Sequence, residues 1–156
     1  MPVESHLQQA AAAHVVLNEV APDSPELRAA LEGADLPTED ITEAGRSFFR
    51  LDADGQTIGF GGYEVHNGSA LLRSVVVLPQ HRGKGFGRVI AEAVLARAAK
   101  AGAHQAYLLT TTAEVFFERA GFTRIDRSSA PAEILATRQA ATICSTAALL
   151  TRPIDV

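Results

Sequence analysis

The chain has 156 residues, of which 47% are hydrophobic and 21% charged, and its formal net charge is −4. That profile excludes a disordered or fibrous chain and fits one compact domain over 1–156, with 1–13 as a weakly ordered lead-in that includes the alanine run from Ala10 to Ala13. An acidic balance argues against a general nucleic-acid or anionic-membrane binder, and the single Cys144 excludes an intrachain disulfide.

No stretch approaches the roughly 20 apolar residues that cross a bilayer, and the N-terminus lacks the basic start and long apolar run of a signal peptide. A cytoplasmic protein is therefore expected. His14 to Val20 is a β-branched run that ends at Pro22, and Asp23 or Ser24 then caps a helix that stops near Gly33. Pro37 to Ala44 reads as a second short helix with Thr38 as its cap. Arg46 to Leu51 alternates polar and apolar residues, Ala53-Asp54-Gly55 is a turn, and Thr57 to His66 resumes the extended pattern, which together make a hairpin. Asn67-Gly68 is a second turn, and Ala70 to Leu78 is apolar except for Arg73 and Ser74, as a central strand covered on both faces would be.

From Gly87 to Lys100, Ile90, Ala91, Val94, Leu95 and Ala98 fall on one helical stripe that ends at Gly102. Gln105 to Thr110 is a short strand. Thr111 and Glu114 read as a capping box for a helix to Ala120, with Gly121 beyond it. Phe122 to Asp126 is extended, Ala132 to Ala140 helical, and Ala147 to Thr151 a last strand. An antiparallel start followed by strand–helix–strand units predicts an α/β chain with a mixed sheet.

The stretch richest in chemistry is Val75-Val76-Val77-Leu78-Pro79-Gln80-His81-Arg82-Gly83-Lys84-Gly85-Phe86-Gly87-Arg88. Three alternate glycines between a buried strand and a helix start let successive backbone N–H groups turn toward one point, which is how a loop cradles phosphate. The helix dipole adds partial positive charge there, and Arg82, Lys84 and Arg88 add full charges. A Walker loop is excluded because Gly85, not Ser or Thr, follows Gly83-Lys84, and a Rossmann fingerprint is excluded by spacing and by the antiparallel strands that come before.

Arg82-Gly83-Lys84-Gly85-Phe86-Gly87 after a Val-x-Pro strand end resembles the acetyl-CoA signature of the GNAT superfamily of N-acetyltransferases, and Phe116-Phe117-Glu118-Arg119-Ala120-Gly121-Phe122 resembles its second signature. The resemblance covers Phe48 to Ile125 in the expected order. It implies the GNAT fold, a mixed, mostly antiparallel sheet of about six or seven strands with helices on both faces. It also implies acetyl-CoA as cosubstrate, with the pyrophosphate held by Arg82, Gly83, Lys84, Gly85, Phe86, Gly87 and Arg88. Val75, Val76 and Val77 would hold the pantetheine arm and acetyl carbonyl, and Thr111 and Phe117 would join the cofactor contacts. An extended amide chain can complete a strand edge as an added strand does, and a backbone N–H aimed at the thioester carbonyl stabilises the tetrahedral oxyanion.

Leu108 to Phe117, with its Leu-Thr-Thr segment, is similar to the amino-acid acetyltransferase branch, which includes N-acetylglutamate synthases. Ala130 to Ile134, Thr137-Arg138-Gln139 and Cys144-Ser145 resemble the small arsenic-resistance N-acetyltransferases, although Ser145 stands where a Pro often follows the Cys. The implied acceptor is a small amino acid or amino-acid-like toxin. Arg73, placed by strand alternation on the face of Val75 and Val77, then reads as its carboxylate ligand, with Ser74 beside it, or else as half of a structural ion pair or a rim residue.

Acyl transfer to an amine needs a proton acceptor and help for the leaving thiolate. Glu64 is the candidate base, directly or through water; the alternative is an exposed strand carboxylate. Histone-type members carry a base where Leu71 stands, and many members carry a Tyr acid where Phe117 stands. Tyr107, Ser145 and Cys144 are substitute acids, Cys144 also reading as an ordinary buried thiol. The five His lack ligand spacing, so no metal is expected. His66 and His104 read as exposed, Phe48, Phe49, Phe60, Phe116, Phe117 and Phe122 as core, and Glu39, Asp40, Asp52 and Asp54 as turn and cap residues. A homodimer, common in the family, would suit the apolar Ala147 to Leu150. The rival functions are a coenzyme-A-binding sensor without turnover and an acetyltransferase acting on protein N-termini or Lys.

Overall fold

The computed structural model describes residues 14–154; the lead-in expected over 1–13 lies outside the described residues. Seven strands form one sheet in the order β1-β2-β3-β4-β5-β7-β6: Val15–Val20 (β1), Arg46–Ala53 (β2), Gln56–His66 (β3), Ser69–Val77 (β4), Gln105–Thr110 (β5), Thr123–Ile125 (β6) and Ala148–Pro153 (β7). The helices are Pro25–Gly33 (α1), Phe86–Lys100 (α2), Glu114–Arg119 (α3) and Ala132–Leu135 (α4). The chain divides into two compact units, 1–63 with 74–94 and 64–73 with 95–156, so the boundary crosses β3 before Glu64 and β4 after Arg73. No helix among the described residues is long and apolar enough to cross a membrane.

In the first unit β1 runs antiparallel to β2, from Val15 opposite Ala53 to Val20 opposite Phe48. Asp54 and Gly55 both have positive φ, 50° and 81°, the backbone that a two-residue hairpin turn requires. Ser24 caps α1, its Oγ accepting the Leu27 N–H at 3.3 Å, and Pro25 occupies the first turn where no N–H is needed. Leu27 and Leu31 from α1 then join Ile41, Phe48, Phe60 and Val76 in a buried cluster. Each of those large side chains contributes about 2 kcal/mol of apolar burial.

On the other face of β3, Gly59 and Gly61 leave the backbone bare. A Cβ on Gly59 would stand 2.1 Å from the Val76 carbonyl oxygen and 2.9 Å from Ile90, and one on Gly61 would stand 2.8 Å from Ile90 and 3.0 Å from Val94. Those two glycines let α2 lie directly on the strand, and Ile90, Ala91, Val94, Leu95 and Ala98 are all buried as the stripe predicts.

In the second unit β4 pairs in parallel with β5 over Ser69–Leu71 and Gln105–Tyr107, and β5 and β6 both run antiparallel to β7. Asn67 and Gly68 have φ of 51° and 82°, so the second turn is as read. A buried cluster unites Leu71, Tyr107, Ile134 and Leu149.

Several expectations are corrected. The segment from Pro37 to Ala44 is a run of turns rather than a helix, because Asp40 is fully buried and Arg46 closes on it, Nη2 donating to Oδ2 at 3.0 Å while Nη1 donates to the Ala44 carbonyl at 2.8 Å. Asp40 is thus half of a buried ion pair, and Asp52 lies within β2 and accepts from Arg50 at 3.0 Å. Thr111 does not cap α3; the Thr110 hydroxyl, one residue earlier, accepts the Ala113 N–H at 2.9 Å. The helix expected to Ala140 ends at Leu135 and is followed by a wider π-turn over Gln139–Ile143, since Arg127 donates to the carbonyls of Ala140, Cys144 and Ala147 at 2.7, 2.6 and 2.9 Å and holds that chain in its own shape. Phe116 is 41% exposed and lies outside the core, since α3 is only 6 residues long and turns one of its two aromatic rings outward.

Gly59→Ala will destabilise the protein by about 3 kcal/mol in urea denaturation, because the obstacle is backbone oxygen and cannot rotate away. Gly33→Ala, where a Cβ meets nothing within 4 Å, will change stability by no more than about 1 kcal/mol.

Candidate functional site

The site begins where β4 ends. Leu78 donates its N–H to the Ile58 carbonyl at 2.8 Å, a single 3-10 turn spans Pro79–His81, and Arg82 leaves it extended. Gly83 and Gly85 then adopt φ of 78° and 88°, in the left-handed region that a side chain disfavours, and α2 starts at Phe86. Phe86 is buried, its ring edge-on to His81 at 6.5 Å, which pins the helix start while Gly83 faces open space. Arg82, Lys84 and Arg88 are exposed beside the glycines, and the Arg82 Nε donates to the Val77 carbonyl at 3.0 Å. A 15-residue helix with its first N–H groups open, a glycine turn without Cβ atoms and three cations make a suitable seat for a diphosphate.

Within the same unit a groove of about 390 Å³ lies beside α1 and the end of β4, lined by Ala30, Thr57, Phe60, Val76 and Leu78, with Glu26 and Arg82 among its lining. Its wall is largely apolar and can take an aliphatic chain. One turn of the strand earlier, Ser74 has φ of 60°, although it carries a side chain and sits inside β4. Such a backbone costs about 1–3 kcal/mol and interrupts the two-residue alternation. The expectation that Arg73 shares a face with Val75 and Val77 rested on that alternation, which does not run through Ser74.

In the second unit Glu64 is not an exposed carboxylate: it is 1% exposed, and its Oε2 accepts from Arg73 Nη1 at 2.8 Å. Its Oε1 lies 3.1 Å from Nε2 of His66, whose side chain is 34% exposed and so half-buried rather than open. Glu64 and His66 are two residues apart on β3, which puts them on one face of the strand, and Arg73 reaches Glu64 from β4. The alternation of β3 could have suggested the Glu64–His66 pair from sequence; the approach of Arg73 could not be read without strand register. Tyr107 is buried against Leu71, Ile134 and Leu149. The Phe117 ring meets Phe116 and Phe122 edge-on at 4.9 and 5.8 Å, Thr111 and Ser145 are exposed, and Cys144 is half-buried at the end of the π-turn, its carbonyl taken by Arg127.

Comparison with known proteins gives the following. A family model described as the acetyltransferase (GNAT) domain matches residues 44–124. A relative from Chlorobaculum tepidum named as an uncharacterized N-acetyltransferase is 34% identical over 97 residues, which is 62% of this chain and 62% of that protein. Among solved structures, N-acetylglutamate synthase from Neisseria gonorrhoeae complexed with coenzyme A and N-acetyl-glutamate superposes with a TM-score of 0.74 at 18% identity, over 92% of this chain and 36% of that one. Rv2747 from Mycobacterium tuberculosis, solved in complex with CoA, superposes with a TM-score of 0.68 at 19% identity, over 90% of this chain and 99% of that one. The chain thus spans about a third of the synthase, and these structural likenesses establish the fold.

Arg73→Ala will lower stability by about 3 kcal/mol, because the Glu64 charge stays buried without its guanidinium. The double variant Glu64→Leu/Arg73→Met will cost less than Arg73→Ala alone; urea midpoints of the two proteins measure the difference, and equal or greater loss in the double variant would show the pair to be uncoupled.

Proposed function

The chain belongs to the GNAT acetyltransferases, and on that premise we propose that it transfers acetyl from acetyl-CoA to the amino group of a small amino acid or amino-acid-like molecule, by direct attack in a ternary complex. The observation that carries the reading is the loop over residues 82–87, where positive φ at Gly83 and Gly85, exposed Arg82 and Lys84, and the start of a 15-residue helix come together at the end of a central strand. In this reading the backbone N–H groups of Gly83 to Arg88 bind the pyrophosphate of coenzyme A, and Val75 to Val77 bind pantetheine as an added strand. Thr111 and Phe117 complete the cofactor contacts. When bound, acetyl-CoA supplies the activated acyl group and the leaving thiolate.

The acceptor amine adds its lone pair to the thioester carbonyl, the carbon–sulfur bond breaks, coenzyme A leaves as thiolate, and the nitrogen gives up one proton. Arg73 and Ser74, at the start of the pantetheine segment in the chain, belong to the acceptor's side. Because Arg73 is buried and already faces Glu64, an incoming carboxylate meets an ion pair rather than a lone guanidinium. Tyr107 and Cys144 are the candidate donors to the thiolate, Tyr107 from within its apolar cluster and Cys144 from its half-buried place.

A second reading is a coenzyme-A-binding sensor without turnover. It is favoured by Leu71, fully buried where histone-type relatives place a base. Thiol release from acetyl-CoA, measured across amino acids and their phosphinate and arsenical analogues, separates the two: acceptor-dependent release supports the transferase, and tight binding with no release by any acceptor supports the sensor. Gly85→Glu puts a carboxylate and a strained backbone where the diphosphate would lie. It will weaken coenzyme A binding at least about a hundredfold by calorimetry, and unchanged affinity would refute the loop's assignment.

A further inference from the structure

We infer that the cavity between the β2–β3 turn and the glycine loop holds the 3′-phosphoadenosine end of coenzyme A, the Lys84 ammonium taking the 3′-phosphate and the Gln56 amide the adenine edge. The inference rests on the coenzyme A reading above, which places the diphosphate and pantetheine but leaves the nucleoside without a seat. Every residue involved belongs to the first unit.

The cavity measures about 350 Å³ and is lined by Asp54, Gln56, Ile58, His81, Lys84 and Phe86. Small-molecule sites run from about 300 to 1,000 Å³, so it is large enough for one. Three segments meet there. The β2–β3 turn brings Asp54 and Gln56, both exposed, and is tied down because Asp54 Oδ1 accepts the His14 N–H at 3.2 Å while the Asp54 N–H donates to the His14 carbonyl at 3.0 Å. The 3-10 turn brings His81, whose ring meets that of buried Phe86 edge-on. The glycine loop brings Lys84, held between Gly83 and Gly85 at φ of 78° and 88°.

Coenzyme A is one covalent chain, so the parts already placed constrain the part that is not. Its diphosphate joins pantetheine at one end and the ribose at the other. With pantetheine on Val75 to Val77, ahead of the loop, the nucleoside continues from the loop's second half. Lys84 and Phe86 belong to that half, and both line the cavity. The apolar groove beside α1 meets the loop at Arg82, on the pantetheine side, and offers a phosphate the repelling carboxylate of Glu26.

The lining matches the group it would take. Adenine presents its N6–H donor beside the N7 acceptor, and an amide side chain has the complementary acceptor and donor at the same spacing. Buried Ile58 and Phe86, with the half-buried His81 ring, give the base an apolar wall. Lysine is a compact charge on a flexible stem, suited to a terminal phosphate. Asp54 repels that phosphate and so favours the orientation that puts it at Lys84.

The test is calorimetric titration of the wild type, Lys84→Met and Gln56→Trp with coenzyme A, 3′-dephospho-coenzyme A and 4′-phosphopantetheine. The wild type is expected to bind coenzyme A about tenfold more tightly than the dephospho form. Lys84→Met should lose that preference, with its affinity for the dephospho form unchanged. Gln56→Trp fills the cavity, so it should weaken both nucleotide ligands at least about tenfold and leave 4′-phosphopantetheine unaffected. Equal losses for coenzyme A and its dephospho form in Lys84→Met would put the ammonium on the diphosphate and overturn the inference. Wild-type affinities in Gln56→Trp, or losses shared with 4′-phosphopantetheine, would overturn it as well. If Gln56→Trp fails to fold, Lys84→Met decides alone. A wild type that binds coenzyme A and its dephospho form equally would refute the inference and leave the cofactor reading standing, whereas one that binds none of the three ligands would refute that reading itself.

Discussion

One backbone conformation in the middle of a strand governs the candidate site: Ser74, a residue with a side chain, held at φ of 60° inside β4. A strand tolerates that only when its surroundings over-determine it, at a cost of about 1–3 kcal/mol. On the N-terminal side of Ser74 the strand is ordinary, laddered to β5 through Ser69, Ala70 and Leu71. On the C-terminal side stand the residues to which we assign pantetheine. An extended amide ligand needs backbone N–H and C=O groups that sheet partners have not consumed, and a strand whose regular pleat is broken is the place to supply them.

The phosphate loop depends on a second constraint, the closeness of α2 to β3. Gly59 and Gly61 remove the side chains that would hold the helix off, so Ile90 and Val94 rest on bare backbone. With the helix at that distance, Phe86 is buried at its start and anchors the C-terminal end of the loop. Charge, dipole and glycine conformation therefore act at one spot, because packing far along the helix places its first turn there.

Much of this was legible in the sequence, for local physical reasons. Asp54-Gly55 and Asn67-Gly68 have the chemistry that two-residue hairpins demand, and the stripe from Ile90 to Ala98 reads as a helix because its period is helical. The alternate glycines at 83, 85 and 87 marked the loop as the candidate diphosphate seat, and Gly83 and Gly85 adopt the positive φ that reading needs. What stayed hidden depended on residues distant in space or on competing hydrogen bonds. The turns of the segment from Pro37 to Ala44 follow from the buried Asp40–Arg46 pair, and the π-turn at Gln139–Ile143 follows from three carbonyls gathered by Arg127. The Thr110 hydroxyl takes the Ala113 N–H ahead of α3, so the helix opens at Ala113 without a side-chain cap and Thr111 has no capping role. The fate of Glu64 and Arg73 required register: each reads alone as a candidate base or carboxylate ligand, and only the pairing of β3 with β4 turns them into partners.

The most direct test of the account is a crystal structure of the protein with coenzyme A. The account predicts the diphosphate on the N–H groups from Gly83 to Arg88 and pantetheine hydrogen-bonded to the backbone of Val75 to Val77, with Ser74 still in the left-handed region. Coenzyme A bound elsewhere, or a regular extended Ser74 in the complex, would contradict it.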